Sequence, residues 1–145
     1  MILRETKNIN EINTVLHHPD IKQRISSDNT PEVETPITEP YRYIVGEVDE
    51  VIGLIILHPF RDGLEVHYQV LPEYRNDYAI SFAQAGIEHL KGNVLYGLVP
   101  TYHQNVIAFD KSVGFEHVDT IEGGYMKNGI EYDYYIMRLE NGLSR

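Results

Sequence analysis

The sequence predicts one α/β domain over residues 1–145, a mixed sheet of about seven strands with about four helices on its faces. Three observations predict it. Strand-like and helix-like apolar patterns follow one another in the order strand, two helices, three strands, helix, strand, helix, two strands. Three strands in succession call for antiparallel neighbours, whereas strand, helix, strand calls for a parallel crossover, so the sheet has to be mixed. Finally, 145 residues, 42% of them apolar and 23% charged, can build one core but not two.

Ile2 to Thr6 read as a short first strand. Asn8-Ile9-Asn10-Glu11 then opens a helix, with an Asn cap and a Glu three residues later placed to satisfy its free amides. Ile9, Ile12 and Leu16 share its apolar face; Pro19 ends it and starts a second short helix through Ile21 and Ile25. Ser26 to Pro40 has almost no apolar periodicity and reads as one long loop, either a substrate-side flap or a plain connection.

Tyr41 to Val48 and Glu50 to His58 form a predicted hairpin, and Leu64 to Val70 a third strand after the turn Arg61-Asp62-Gly63. The second of these is nearly continuous in apolar residues, as a central strand would be. After Leu71-Pro72 the period changes, and Ala79, Phe82, Ala83, Gly86, Ile87 and Leu90 fall on one helical face. Asn93 to Val99 is the next strand. Thr101-Tyr102-His103-Gln104 has the form of a capping box for a last helix, with Val106, Phe109 and Val113 inside and Gly114 as its stop. Phe115 to Ile121, a turn holding Gly123-Gly124 and Asn128-Gly129, and a strand from Glu131 to Leu139 close the chain as a hairpin.

With 22 acidic against 12 basic side chains the formal charge is -10, which repels phosphate backbones and anionic headgroups and argues against nucleic acid or a membrane surface as partner. Lys22 and Arg24 read as a solvated pair. The absence of cysteine removes disulfides, thiolate ligands and cysteine nucleophiles, and fits a cytoplasmic location. The longest apolar run, Val51 to Leu57, is too short to span a bilayer, and Met1-Ile2-Leu3-Arg4-Glu5 lacks the apolar stretch of a signal peptide. The seven histidines show no spacing that would fix a metal on one helical face, so no metal is expected. Tyr132, Tyr134 and Tyr135 read as sheet or interface packing.

Three local signals sit in this element order: Val70-Leu71-Pro72-Glu73-Tyr74-Arg75 at the end of the fourth strand, Val99-Pro100 at the end of the fifth, and Val113-Gly114-Phe115 after the last helix. In that order and spacing the chain resembles the GNAT superfamily of N-acetyltransferases over essentially its whole length. The resemblance implies a GNAT-like acyl-CoA N-acyltransferase fold in which the fourth strand splays from the fifth. Acetyl-CoA would lie in the wedge, its pyrophosphate at the start of the next helix, where free amides and the helix dipole attract an anion. It assigns cofactor contacts to Val70 and Leu71 for the pantetheine arm, to Arg75, Asn76, Asp77 and Tyr78 for the pyrophosphate, and to Asn105 on the last helix.

The family pattern Arg/Gln-x-x-Gly-x-Gly/Ala is kept only in part: aligned on Arg75, it meets Tyr78 and Ile80 where small residues let backbone approach phosphate. The other reading of this stretch is a capped helix on a retained scaffold. Family members often carry a leaving-group tyrosine four residues before the Gly-Phe pair, and here Asp110 stands there. Asp110 needs a raised pKa to act as the acid, and Tyr102 is the other candidate. Glu65, His67 and Gln69 share one face of the fourth strand, so Glu65 or His67 is the candidate base; the other reading of that face is solvated or sheet-bonded polar surface.

A narrower resemblance rests on Leu16-His17-His18-Pro19-Asp20-Ile21 with Ile25 and Asp28, on Pro72-Glu73-Tyr74-Arg75, and on Ala108-Phe109-Asp110-Lys111-Ser112-Val113-Gly114-Phe115. These segments are similar to small acetyltransferase-like proteins of tailed bacteriophages, some of them head-assembly or virion proteins. Two functions are therefore open. One is direct acyl transfer from acetyl-CoA to a small amine or a protein amino group. The other is a non-catalytic head-assembly role, with phage structural proteins as partners and the virion or host cytoplasm as location. Self-association as a homodimer stays open in both. A third reading, an unrelated α+β binding module, requires the fourth and fifth strands to pair along their length.

Overall fold

The computed structural model describes residues 1–28 and 40–142. Its elements are β1 (Ile2–Thr6), α1 (Ile9–Leu16), α2 (Pro19–Ile25), β2 (Arg42–Glu47), β3 (Val51–Phe60), β4 (Gly63–Val70), a 3-10 turn (Pro72–Tyr74), α3 (Arg75–His89), β5 (Val94–Pro100), α4 (Gln104–Ser112), β6 (Glu116–Lys127) and β7 (Ile130–Glu140). One seven-stranded sheet carries the strands in the order β1-β2-β3-β4-β5-β7-β6. Every neighbouring pair is antiparallel except β4 and β5, which the α3 crossover joins in parallel. The mixed sheet and the element order match the expectation. The flap-or-connection alternative for the long loop falls on residues 29–39, outside the described residues.

Alternation along the strands divides the core between two faces. Ile44, Ile55, Leu57, Val66, Leu95 and Met137 meet Phe82 of α3 and Ile107 of α4 on one face. Tyr43, Val45 and Leu54 meet Ile12 and Val15 of α1 and Ile21 of α2 on the other. Phe82 is fully buried and anchors α3, a burial contributing about 1.5–3 kcal/mol. Its ring fills the space that side chains on Gly46 and Gly53 would need, with a β-carbon at Gly53 reaching 3.2 Å from it.

Local details correct several expectations. Asn8 caps α1 by accepting from the amides of Asn10 and Glu11, but Glu11 does not close the box directly. The Asn8 amide donates to the Thr6 hydroxyl, which donates to Glu11, so Thr6 relays the contact. The capping box expected at Thr101 is absent. α4 starts later, with His103 at its cap, and the Gln104 side chain donates to the Thr101 carbonyl. That shift of register buries Ile107 and leaves Val106, expected inside, exposed. Gly123-Gly124 is not a turn: β6 continues through it across an irregularity between Ile121 and Tyr125, and only Asn128-Gly129 reverses the chain, with φ of 53° and 76°.

Candidate active site

The β4–β5 ladder consists of only two positions, Leu64 with Leu95 and Glu65 with Tyr96. Beyond them the strands part, because each is held elsewhere. β4 stays paired to β3 as far as Val70, and β5 stays paired to β7 as far as Pro100. The Leu71 amide donates to Ile52, and the Arg75 side chain donates to the Val70 carbonyl at 3.0 Å and to Asp20 of α2 at 2.6 Å, so the end of β4 is drawn away from β5. This open wedge overturns the third reading, which required full pairing. By the same bonds, the Leu71 amide and one acceptor site of the Val70 carbonyl are engaged within the chain.

The helix after the wedge begins at Arg75, directly after the 3-10 turn. Tyr78 and Ile80 therefore lie inside α3 rather than in a loop; Ile80 is exposed, and the Tyr78 ring packs against Tyr74 with 6.2 Å between centroids. The Arg75 amide is taken by the Pro72 carbonyl, and no side chain caps the helix start. Asn76 and Asp77 are exposed there, Asp77 placing a carboxylate in the first turn. What this end offers an anion is backbone at a helix start, without the glycine cradle of the family pattern.

The two faces of the wedge carry different chemistry. On the α3–α4 side, the Asp110 carboxylate lies against Gly97, the first residue of β5 beyond the β4 ladder; a β-carbon at Gly97 would stand 3.2 Å from Asp110 Oδ2. Burial pushes the Asp110 carboxyl up to about 7, with the nearby His67 pulling it slightly back. Tyr68, on the same face of β4, has its hydroxyl buried without a hydrogen-bond partner among the described residues, and burial together with the Asp110 charge pushes its pKa up. Its ring packs edge-on to Phe82.

On the α1–α2 side, His58, Glu65 and His67 converge. The antiparallel register sets His58 opposite Glu65, and His67 follows two residues on along the same face. Glu65 is 7% exposed. Its Oε2 atom meets His58 Nε2 at 3.2 Å and is in direct contact with His67 Nε2. Burial pushes the Glu65 carboxyl up, but the hydrogen bond from His67 and the further contacts with both imidazoles hold it below the usual carboxylate range. Glu65 is thus buried and bonded across to His58 on the neighbouring strand, while both imidazoles keep partial exposure, which is the sheet-bonded arrangement of the second reading.

Glu65, His67 and Asp110 thus gather around the vertex of the wedge. Tyr102 is placed differently: it is 42% exposed on the β5–α4 turn, its ring packed against Tyr132 at 5.3 Å and His103 at 4.9 Å. Tyr134 packs on Tyr125, and Tyr135 stacks on His117, as sheet packing predicts. Asn105 is exposed in the first turn of α4. Sequence reasoning passed over His58, Tyr68 and Gly97. The turn at Arg61-Asp62-Gly63 already implied that His58 faces Glu65, and a glycine inside a predicted strand is a sign of close approach.

No family model and no curated protein matches the chain. Solved structures do. A ribosomal-protein-S18-alanine N-acetyltransferase from Escherichia coli superposes with a TM-score of 0.74 at 15% identity, over 99% of this chain and 97% of the other. A spermidine N-acetyltransferase from Vibrio cholerae gives 0.73 at 16% identity, over 96% and 94%. A GNAT superfamily phosphinothricin acetyltransferase from Sinorhizobium meliloti, solved with AcCoA, gives 0.70 at 18% identity, over 95% and 86%. The strand order, the parted parallel pair and these superpositions establish that the chain has the GNAT N-acyltransferase fold.

Proposed function

We propose that the protein is an N-acyltransferase that moves an acetyl group from acetyl-CoA to an amine. The observation that carries this reading is the placement of a buried, protonatable Asp110 over Gly97, where the β4–β5 wedge opens, with Glu65 and His67 on the opposite face of that wedge. An acid and an acceptor on opposite sides of one gap are what direct transfer asks for.

The residues fit the cofactor at the thioester end better than at the pyrophosphate end. The wedge, the orphaned Tyr68 hydroxyl and the Asp110 carboxyl line the first; the uncapped start of α3 serves the second. When bound, acetyl-CoA supplies an activated acyl carbon and a thiolate leaving group. Glu65 and His67 accept hydrogen bonds from the incoming ammonium and take one of its protons. Asp110 gives a proton to the departing sulfur. The balance is one C–N bond formed, one C–S bond broken, and two protons lost by the ammonium nitrogen: the first passes through Glu65 and His67 to solvent, and the second replaces the one that Asp110 gives to sulfur. The negative net charge favours cationic acceptors by attraction at long range.

Calorimetric titration with acetyl-CoA tests the reading, backed by thermal shift and by release of free thiol across a panel of amines. Binding in the micromolar range with a raised melting temperature is expected. Absence of both at about 1 mM cofactor overturns it. The head-assembly alternative rests on the short sequence similarity alone; it predicts no response to the cofactor and presence of the chain in purified particles.

A further inference from the structure

We propose that His58, Glu65 and His67 form a binding site for a divalent transition ion of the Zn2+ type, on the α1–α2 face of the sheet beside the wedge. The site goes beyond the acyl-transfer reading and does not depend on it.

The donor set selects the ion. Two imidazole nitrogens and one carboxylate oxygen suit Zn2+, Co2+ or Ni2+, whereas Mg2+ and Ca2+ ask for oxygen ligands throughout. All three donor atoms lie within 4.8 Å of one another. Tetrahedral bonds of about 2.0–2.1 Å place ligand atoms about 3.3 Å apart. His58 Nε2 and Glu65 Oε2 already stand at 3.2 Å, and an ion seated between Glu65 and His67 would part that closer pair. The scaffold is rigid because adjacent antiparallel strands carry the three side chains.

Hydrogen bonding around the cluster points the same way. His58 Nδ1 lies 3.1 Å from the Pro59 carbonyl. A carbonyl oxygen only accepts, so in the tautomer that satisfies this contact Nδ1 carries the proton and Nε2 turns its lone pair onto the Glu65 carboxylate. Two electron-rich atoms then face each other unless a cation, proton or metal, stands between them. A ligand imidazole whose other nitrogen donates to a carbonyl is the usual outer-shell arrangement at a metal. The Tyr41 ring, 5.3 Å from that of His58, and the His58–His67 stacking at 6.5 Å hold the imidazoles in place. Both histidines are partly exposed while Glu65 is buried, which leaves an entry path and an open fourth position. Other histidines are otherwise engaged: His18 accepts from the Asp20 amide, His103 meets the Arg24 carbonyl, and His117 meets the Thr120 hydroxyl.

The test needs no acyl donor. Zn2+ is titrated calorimetrically into the full chain, and Co2+ is followed by its visible absorption bands, for the wild type, His58→Ala, Glu65→Gln and a His17→Ala/His18→Ala control. One ion per chain with micromolar affinity is expected, weakened at least about tenfold in the first two variants and unchanged in the control. Proton NMR of the wild type guards against misfolded variants: Zn2+ should shift the His58 and His67 ring signals and leave His117 in place. No binding at about 1 mM Zn2+, equal affinity in the triad variants, or ring shifts confined to other histidines would each overturn the site. Where acyl transfer is also measurable, Zn2+ should inhibit it in the wild type, since the ion occupies the groups that receive the amine.

Discussion

Asp110 Oδ2 sits 3.2 Å from the point where a β-carbon on Gly97 would stand, so the bare backbone of β5 makes room for the carboxylate at the vertex of the wedge. Replacing Gly97 with Ala forces the carboxylate to give way by a few tenths of an ångström. The expected result is a loss of about tenfold or more in kcat with a stability cost of about 1 kcal/mol. Parallel kinetics and urea unfolding check it, and unchanged kcat would detach Gly97 from the chemistry.

Asp110 also makes stability depend on pH. Its folded pKa, about 7, lies above its ordinary 3.8, so the native state holds the proton more tightly than the unfolded chain. The associated stabilisation is complete below about 3.8 and is lost as pH rises through about 7, a change on the order of 2–4 kcal/mol. Asp110→Asn should therefore match the wild type in melting temperature near pH 4 and exceed it by several degrees at pH 8. Tyr68 of β4 lies on the same side of the sheet as Asp110, and the charge of His67 acts on that carboxyl from the opposite face. Differential scanning calorimetry across this range measures the gap.

The same residue shapes the rate profile. If Asp110 protonates the leaving sulfur, wild-type kcat falls as pH rises above about 7, where the carboxyl loses its proton. Asp110→Asn should lower kcat about 100-fold and abolish that falling limb. A limb that survives in the variant assigns the acid to another group, with Tyr68 next to be tested.

Asp77 places a negative charge in the first turn of α3, which favours the helix dipole but opposes a pyrophosphate. Asp77→Asn should tighten acetyl-CoA binding about two- to fivefold, an effect that shrinks as salt is added. Calorimetry at two ionic strengths reads both the gain and its screening.

Arg75 ties α2 to the end of β4 by donating to Asp20 and to the Val70 carbonyl at once. Removing it in Arg75→Ala should cost about 1–2 kcal/mol, most of it from the Val70 bond, because the Asp20 pair is partly screened by solvent. Arg75→Lys should not restore the loss, since one ammonium cannot span both acceptors. Urea denaturation curves decide.

Much of this was legible from residue order. The apolar period of 79–90 gave the helix that Phe82 anchors, and the Val70-Leu71-Pro72 and Val99-Pro100 signals marked the two strand ends that border the wedge. Asp110 could be singled out by counting back from Gly114-Phe115, and Glu65 and His67 by alternation along one strand. Thr101-x-x-Gln104 satisfies a local capping pattern, but α4 starts later because the backbone there is taken up by a long-range bond, Thr101 N–H to the Asp133 carbonyl, and by a tight turn, His103 N–H to the Pro100 carbonyl. Gly123-Gly124 looks like a turn in the sequence because a bulge and a turn both use glycine for a positive φ, here at Gly123.

The sequence alone determined the succession of strands and helices, the mixed sheet and the residue types along each face, because side-chain periodicity and caps are local properties of the chain. Only the tertiary structure decided that β4 and β5 part after two positions, that Asp110 reaches Gly97, and that His58 joins Glu65 and His67. Those are distances between segments far apart in sequence, and burial, which shifts the Asp110 proton, exists only once the segments pack together.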